Sequence, residues 1–211
     1  MRTKLFITVV CLFCTPFTLA NPEPGEVPFN FEFTAPGGII PAFDFDNDLE
    51  GKSVFPLTMV NPRIDEIFSL ELQLTGLSHT FPDDLEVYLI DPFGESLAVM
   101  FDRGGNVAIN GVTLIFNDAE SNIPPDETEI LSGRYRPQGP DSTPNDGISG
   151  LANFLKQSGG TDTWLLIIID DFEGDGGSLE SWTLRGTAVP EPVTLSLLAL
   201  GALTFLRRRR A

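Results

Sequence analysis

The feature that most constrains this chain is a two-residue alternation of apolar and polar side chains in short segments. Phe29 to Phe33 alternates in this way and Phe68 to Leu74 repeats the pattern, so each segment presents one apolar face. Further short apolar segments follow at Leu85 to Ile90, Leu97 to Phe101, Val112 to Phe116, Trp164 to Ile169 and Leu179 to Thr187. Because Asp-Pro, Gly-Gly and Asn-Gly pairs separate them, the sequence predicts an all-β sandwich rather than alternating strands and helices.

Several local patterns refine this prediction. The run from Trp164 to Ile169 is apolar throughout, which is typical of a strand buried on both faces. Trp164 and Trp182 are predicted to be structural core residues, since large apolar rings are better buried than exposed. Asp91-Pro92-Phe93-Gly94 predicts a β-turn that closes a hairpin between two strands. Residues 123–150 are rich in Pro, Asp, Ser and Gly and are predicted to form a long loop.

The first 20 residues are predicted to be an export signal. Met1 to Lys4 is basic, Leu5 to Phe13 is apolar, and a small-residue cleavage site ends at Ala20. The apolar stretch is too short to cross about 30 Å of hydrocarbon, which argues against a retained anchor. Cys11 and Cys14 lie inside this segment, so the mature chain is expected to lack cysteine. Signal peptidase is therefore an expected processing partner.

The carboxyl-terminal segment, residues 189–211, has three parts. Pro190, Glu191 and Pro192 precede the uncharged 14-residue run Val193 to Leu206, and the basic residues Arg207, Arg208, Arg209 and Arg210 follow it. The run is marginal for a membrane span, and the arginines would hold its far end in the cytoplasm. This order resembles the PEP-CTERM sorting signal of Gram-negative bacteria. The resemblance implies a short transmembrane sorting helix, processing by an exosortase-type enzyme, and a transient membrane tether; an ordinary anchor is the alternative.

The composition between the two signals limits the partners. Residues 21–189 contain 29 acidic and seven basic side chains, a net charge of −22. Nucleic acid and anionic lipid would be repelled by this charge, so neither is expected as a partner. The length of about 165 residues suits one domain with a substantial core.

Three segments resemble the P domain, also called P/Homo B, of subtilisin-like proprotein convertases. Residues 77–94 contain a His-Thr step at His79, an Asp-Leu strand start at Asp84 and a Pro-x-Gly turn. Residues 111–118 follow, and residues 163–184 contain a Trp-x-Leu strand, an acidic loop and a final Trp-x-Leu strand. The resemblance covers residues 64–188 and implies a galactose-binding-like jelly-roll sandwich. Residues 21–63 are expected to add amino-terminal strands and an acidic loop to it.

The sequence predicts no catalytic activity. The chain has one histidine, His79, and no Gly-x-Ser-x-Gly elbow, so the Asp/His/Ser triad of the proteases that carry P domains has no counterpart. His79 is predicted to be a structural hydrogen-bonding residue.

Calcium is the expected cofactor. Five aspartates at predicted strand ends or turns offer oxygen ligands for one ion: Asp83, Asp84, Asp170, Asp171 and Asp175. P domains of some bacterial relatives bind calcium through such residues, so the resemblance also implies a site near Asp84 and Asp171. A solvated acidic turn is the alternative interpretation of this pattern.

The resulting hypothesis is an exported, non-catalytic module that binds or stabilises a partner in the cell envelope, on the cell surface or in the extracellular matrix of a Gram-negative bacterium. The P domain resemblance also associates the chain with proteolysis. Two alternatives stay open: a carbohydrate-binding module of the extracellular polysaccharide matrix, which requires an exposed aromatic platform, and a trans-acting partner of a separate subtilase.

Overall fold

The computed structural model of the protein describes residues 27–44, 51–60, 66–139, 150–151 and 161–189. These residues form nine β-strands and a 3-10 turn at Pro82–Asp84. The strands are β1 Phe29–Ile40, β2 Gly51–Val60, β3 Glu66–His79, β4 Leu85–Ile90, β5 Ser96–Phe101, β6 Ile109–Phe116, β7 Gly133–Tyr135, β8 Thr161–Asp170 and β9 Gly177–Val189. Each of the seven strands predicted from alternation or apolar character is present.

The strands form two sheets that share one core. The first sheet has the order β1-β9-β3-β6-β7 and the second has the order β2-β8-β4-β5. All pairs are antiparallel except β6 with β7. The prediction of an all-β sandwich is thereby confirmed.

The core lies between the inner faces of the two sheets. In the first sheet, the register aligns Leu184 of β9 with Leu72 of β3, and Leu72 with Phe116 of β6. These three side chains are fully buried, as are Trp164 and Trp182. Removing an aliphatic or phenylalanine side chain from water in this way contributes about 1.5–3 kcal/mol.

Strand β8 departs from its predicted burial. Its inward residues Trp164, Leu166 and Ile168 are fully buried. The alternate residues, Leu165, Ile167 and Ile169, are only partly buried. The prediction that this strand is buried on both faces is therefore met on one face only.

Residues 123–150 also differ from the single long loop that their composition predicts. Within the described part, Gly133–Tyr135 forms β7 on the edge of the first sheet, and Ile130 is fully buried in the core. Further along, Gln138 donates its amide hydrogen to the carbonyl oxygen of Val99 on β5 at 3.0 Å. Composition gave no signal of these contacts, because one buried isoleucine and a three-residue edge strand are too short to show periodicity.

Different strand ends meet at the two ends of the sandwich. At one end β8 terminates at Asp170, and β2 and β4 begin beside it, since Gly51 and Leu85 both align with Asp170. The carboxyl end of β9 lies at the opposite end, where Ala188 aligns with Phe29.

The predicted signal, residues 1–20, and the predicted sorting segment beyond Val189 lie outside the described residues. Among those described, no helix has the length and apolar character of a membrane span.

Candidate metal centre

A buried hydrogen-bonded pair joins the two sheets beside the candidate site. His79 ends β3 and Asp170 ends β8, and Nε2 of His79 lies 3.1 Å from Oδ2 of Asp170. Both side chains are fully buried. The other ring nitrogen, Nδ1, lies 2.9 Å from the carbonyl oxygen of Phe81. The imidazole is thus held from both sides.

Hydrogen bonds connect the turns around this pair. The Thr80 hydroxyl donates to Oδ1 of Asp175 at 2.7 Å. The amide of Asp171 donates to the carbonyl oxygen of Asp84 at 3.1 Å. The amide of Phe172 donates to Oδ1 of Asp170 at 3.2 Å. These bonds fix the loop after β8 against the 3-10 turn that precedes β4.

Three carboxylates converge on the outer side of this end. Glu86 lies on β4, Asp102 follows β5, and Asp171 follows β8; one oxygen from each lies within 4.8 Å of the others. Glu86 is partly buried, whereas Asp102 and Asp171 are exposed. We call Asp84 together with these three residues the acidic cluster. Its members lie at or beside the ends of β4, β5 and β8, which are neighbouring strands of the second sheet.

The electrostatics of the acidic cluster favour the uptake of positive charge. Burial, reinforced by the charges of Asp170, Asp171 and Asp175, raises the pKa of Asp84 to about 6. Burial and the charges of Asp171, Glu86 and Asp83 likewise raise the pKa of Asp102 to about 6. Burial also raises the pKa of Asp170, although the Phe172 amide and His79 oppose the shift. Like charges held this close disfavour ionisation unless a proton or a cation intervenes.

Two residues of the acidic cluster, Asp102 and Glu86, have a defined local geometry. Asp102 has a φ of +47°, in the left-handed region that asparagine and aspartate tolerate better than most residues. The Tyr88 hydroxyl donates to Oε2 of Glu86 at 2.9 Å. Burial and this bond to Glu86 raise the pKa of Tyr88 to about 12, so the phenol stays a donor at neutral pH.

The five predicted ligands occupy different places in this arrangement. Asp171 belongs to the three-carboxylate group, and Asp84 is its electrostatic neighbour. Asp170 is turned inward to His79, and Asp175 accepts the bond from Thr80. Asp83 influences the site through its charge, which acts on Asp102.

Sequence analysis missed Glu86 and Asp102. Glu86 is one polar residue in an alternating strand, and Asp102 is one aspartate in a turn, so neither stands out along the chain. They meet Asp171 only because β4 lies between β5 and β8 in the sheet. The one available signal was their position at a strand start and a strand end.

A concave region lies on the outer face of the first sheet. It is a groove of about 420 Å³ whose polar lining includes Asn30, Glu32, Glu71, Asn117 and Arg185. Nε of Arg185 lies 2.6 Å from Oε1 of Glu71. The second oxygen of Glu71 contacts Arg134. The charges in this groove therefore largely satisfy one another.

The aromatic platform required for stacking on sugars does not form from the tryptophans. Trp164 and Trp182 are both fully buried, and they lie in the core between the sheets. Tyr88 and Tyr135 are partly buried. Phe93 and Phe172 are exposed, but they belong to separate loops after β4 and β8.

The solved structures that this chain matches include two from Aeromonas sobria. One is a serine protease of Aeromonas sobria, at 14% identity and a TM-score of 0.41, with 80% of this chain and 28% of that chain covered. The other is the complex of the Aeromonas sobria serine protease with its chaperone, at 14% identity and a TM-score of 0.42, with 81% and 28% covered. This chain thus spans just over a quarter of either match. No protein-family profile and no curated protein matches the sequence.

Proposed function

We propose that this chain is an exported, non-catalytic β-sandwich module that binds calcium at the acidic cluster and acts as a binding or stabilising module outside the cell. The observation that carries the proposal is the meeting of Glu86, Asp102 and Asp171 oxygens within 4.8 Å, where β4 begins and β5 and β8 end. The proposal has three parts: the architecture, the lack of catalysis and the ion.

The architecture supports a jelly-roll interpretation. Strands β1, β9, β3 and β6 form a four-stranded set, and β2, β8, β4 and β5 form the facing set, as in a double-sheet jelly roll with eight strands. The three segments that resemble the P domain fall on the end of β3 with β4, on β6, and on β8 with β9. They supply His79 and Asp170 and, of the acidic cluster, Asp84, Glu86 and Asp171, which supports a P-domain-like module.

The position of His79 supports the absence of peptidase chemistry. A general base needs a free ring nitrogen within hydrogen-bond reach of a nucleophile. Both nitrogens of His79 already contact protein atoms, those of Asp170 and Phe81, and the ring is fully buried. A histidine held in this way positions two loops.

Calcium suits the acidic cluster better than a softer metal. Calcium takes six to eight oxygen ligands in flexible geometry, and carboxylates and backbone carbonyls are the ligands it prefers. Glu86, Asp102 and Asp171 can supply carboxylate oxygens, and water can complete the shell. A bound dication would relieve the repulsion that raises the pKa of Asp84 and Asp102.

Titration calorimetry with calcium tests the site directly. The purified chain is expected to bind about one ion, and Asp171→Asn and Asp102→Asn are expected to weaken binding at least tenfold, since each loses a charged ligand. Glu32→Gln removes one charge from the outer face of the first sheet and serves as the matched control. Equal affinity in the parent and both cluster variants would contradict the assignment.

The terminal segments support an extracytoplasmic destination. The predicted signal at residues 1–20 and the PEP-CTERM-like segment at residues 189–211 place the domain outside the inner membrane, with exosortase-type processing. Replacing Pro190, Glu191 and Pro192 by alanine in a host with such an enzyme is expected to leave the chain unprocessed and membrane-bound. Unchanged processing would contradict this part of the proposal.

The partner class is proposed from the P domain resemblance. A separately encoded subtilase is the first candidate, because P domains accompany such proteases. Co-purification of the two purified proteins with calcium, compared with a chelator, tests the pairing. A polysaccharide partner has less support, since both tryptophans are buried and the described residues that line the polar groove include no exposed aromatic side chain.

A further inference from the structure

The sequence contains one Asn-Gly pair, and the fold places it on the surface. Of the ten asparagines in the chain, only Asn110 is followed by glycine. Asn110 and Gly111 lie near the start of β6, and both residues are exposed. Because Ile109 aligns with His79, the pair lies at the same end of the sandwich as the buried His79 side chain.

The pair forms a β-bulge. The register of β3 with β6 shifts between Leu77 and His79, and at this shift two residues of β6 face one residue of β3. The two residues are Asn110 and Gly111, and the one residue is Ser78. Gly111 has a φ of +65°, which is typical of a common class of bulge. A Cβ at Gly111 would have no atom within 4 Å, so the backbone of the pair is open to solvent.

The backbone amide of Gly111 is bonded to a side chain. Its N–H donates to Oγ of Ser78 at 2.9 Å. A serine hydroxyl can rotate away from an amide, whereas the carbonyl oxygen of a neighbouring strand is fixed by the sheet. The amide nitrogen of Gly111 can therefore lose its hydrogen bond while the sheet stays closed.

We propose that Asn110 is a site of spontaneous deamidation in the folded chain. The amide nitrogen of Gly111 loses its proton to hydroxide and attacks Cγ of Asn110, and a five-membered succinimide ring closes as the side-chain amide takes up a proton and leaves as ammonia. Water then opens the ring at either carbonyl, which gives aspartate or isoaspartate. The net reaction consumes one water and releases one ammonia. The inference goes beyond calcium binding and does not depend on it.

The residue after the asparagine controls the rate of this reaction. A side chain on that residue obstructs the approach of its amide nitrogen to Cγ, and glycine has no side chain. Asn106 provides an internal comparison, because it is also exposed but is followed by Val107. The branched valine side chain is both bulky and stiff. Asn110 is therefore expected to react much faster than Asn106.

The two products differ in their effect on the fold. Aspartate adds a negative charge at position 110 and leaves the length of the backbone unchanged. Isoaspartate also adds a methylene group to the backbone of β6, between the residues that align with Leu77 and His79. Because His79 is fully buried and bonded to Asp170, β3 is fixed at this end. Isoaspartate is therefore expected to disturb the pairing of β6 with β3 and to lower the melting temperature.

Peptide mapping by mass spectrometry tests the site. The purified chain is kept folded at mildly alkaline pH, and the converted fraction of each asparagine is followed with time. Asn110 is expected to convert at least about tenfold faster than Asn106. Ser78→Ala removes the hydrogen bond from the attacking amide and is expected to speed the conversion about fivefold, the effect of one neutral hydrogen bond. Asn110→Gln, which would have to close a slower six-membered ring, is expected to stay unconverted.

A synthetic peptide of residues 107–114 supplies the rate without the fold. Conversion of Asn110 in this peptide but not in the folded chain would overturn the inference, because the bulge would then hold the pair away from the reactive geometry. Equal rates at Asn110 and Asn106 would overturn it as well. Chain that contains isoaspartate is expected to melt at a lower temperature than Asn110→Asp, which carries the same charge on an unchanged backbone, and equal melting temperatures would contradict the expected disturbance of β6.

Discussion

Nε2 of His79 and Oδ2 of Asp170 lie 3.1 Å apart with both side chains fully buried, and this contact joins the end of β3 in one sheet to the end of β8 in the other. Removing one partner leaves a buried polar group without its hydrogen bond. We expect His79→Ala and Asp170→Ala each to lower the free energy of unfolding by about 3 kcal/mol. Urea denaturation of the parent and both variants measures the two costs.

The double variant distinguishes a coupled pair from two independent residues. If the two side chains act together, His79→Ala with Asp170→Ala costs clearly less than the sum of the single changes. Strictly additive costs would show that the contact contributes nothing of its own.

The raised pKa of Asp84 predicts a pH dependence. The folded chain holds this proton more tightly than the unfolded chain, because the pKa rises from its ordinary 3.8 to about 6. The stability from this group is fully present below about pH 4 and is lost as the pH rises through about 6. With a chelator present, Asp84→Asn is expected to exceed the parent in stability at about pH 7.5 and to depend less on pH.

Urea denaturation at several pH values, with chelator throughout, checks the pH prediction. Glu32→Gln removes one negative charge far from the acidic cluster and controls for net charge. A parent and an Asp84→Asn variant with parallel pH profiles would contradict the proposed repulsion.

Two adjacent glycines allow a matched test of packing beside His79. A Cβ at Gly177 would lie 2.1 Å from the carbonyl oxygen of Ser78 and 2.6 Å from Cδ2 of His79. A Cβ at Gly176 would meet its nearest atom, the carbonyl oxygen of Ile40, at 3.4 Å. We expect Gly177→Ala to cost at least about 2 kcal/mol and Gly176→Ala much less, measured by thermal unfolding. Equal costs would argue against the close approach of β3 and β9.

The burial of both tryptophans predicts their spectroscopic behaviour. Trp164 and Trp182 have no exposed surface, so iodide is expected to quench their fluorescence only weakly in the folded chain and strongly after unfolding. Added polysaccharide is expected to leave the emission unchanged. Strong quenching of the folded chain would restore the hypothesis of an aromatic binding platform.

Much of the fold was predictable because most strands carry a strong local signal. Alternation identified β1 and β3, and the continuous apolar run identified β8. β2 was not predicted because Pro56 interrupts its pattern. An edge strand such as β2 tolerates a proline, since a backbone amide on its open side has no partner strand to bind. β7 was not predicted because three residues are too few to show an alternation of apolar and polar side chains.

The site was predictable only in part, because its ligands depend on strand order. The aspartates around residues 84 and 171 were recognisable as acidic residues at strand ends. Glu86 and Asp102 become neighbours of Asp171 through the order β8-β4-β5, which no local pattern encodes. The prediction that β8 is buried on both faces was wrong for one face, because a continuous apolar run does not show whether a second layer covers the strand.

Thermal unfolding of the purified chain, with excess calcium and with chelator, tests the central claim most directly. A folded state that binds calcium at the acidic cluster is expected to melt about 5 °C or more higher at about 100-fold excess over the dissociation constant. Asp102→Asn and Asp171→Asn should abolish this shift, while Glu32→Gln keeps it. The same melting temperature for the parent in calcium and in chelator would contradict the claim and leave the acidic cluster as solvated turn residues.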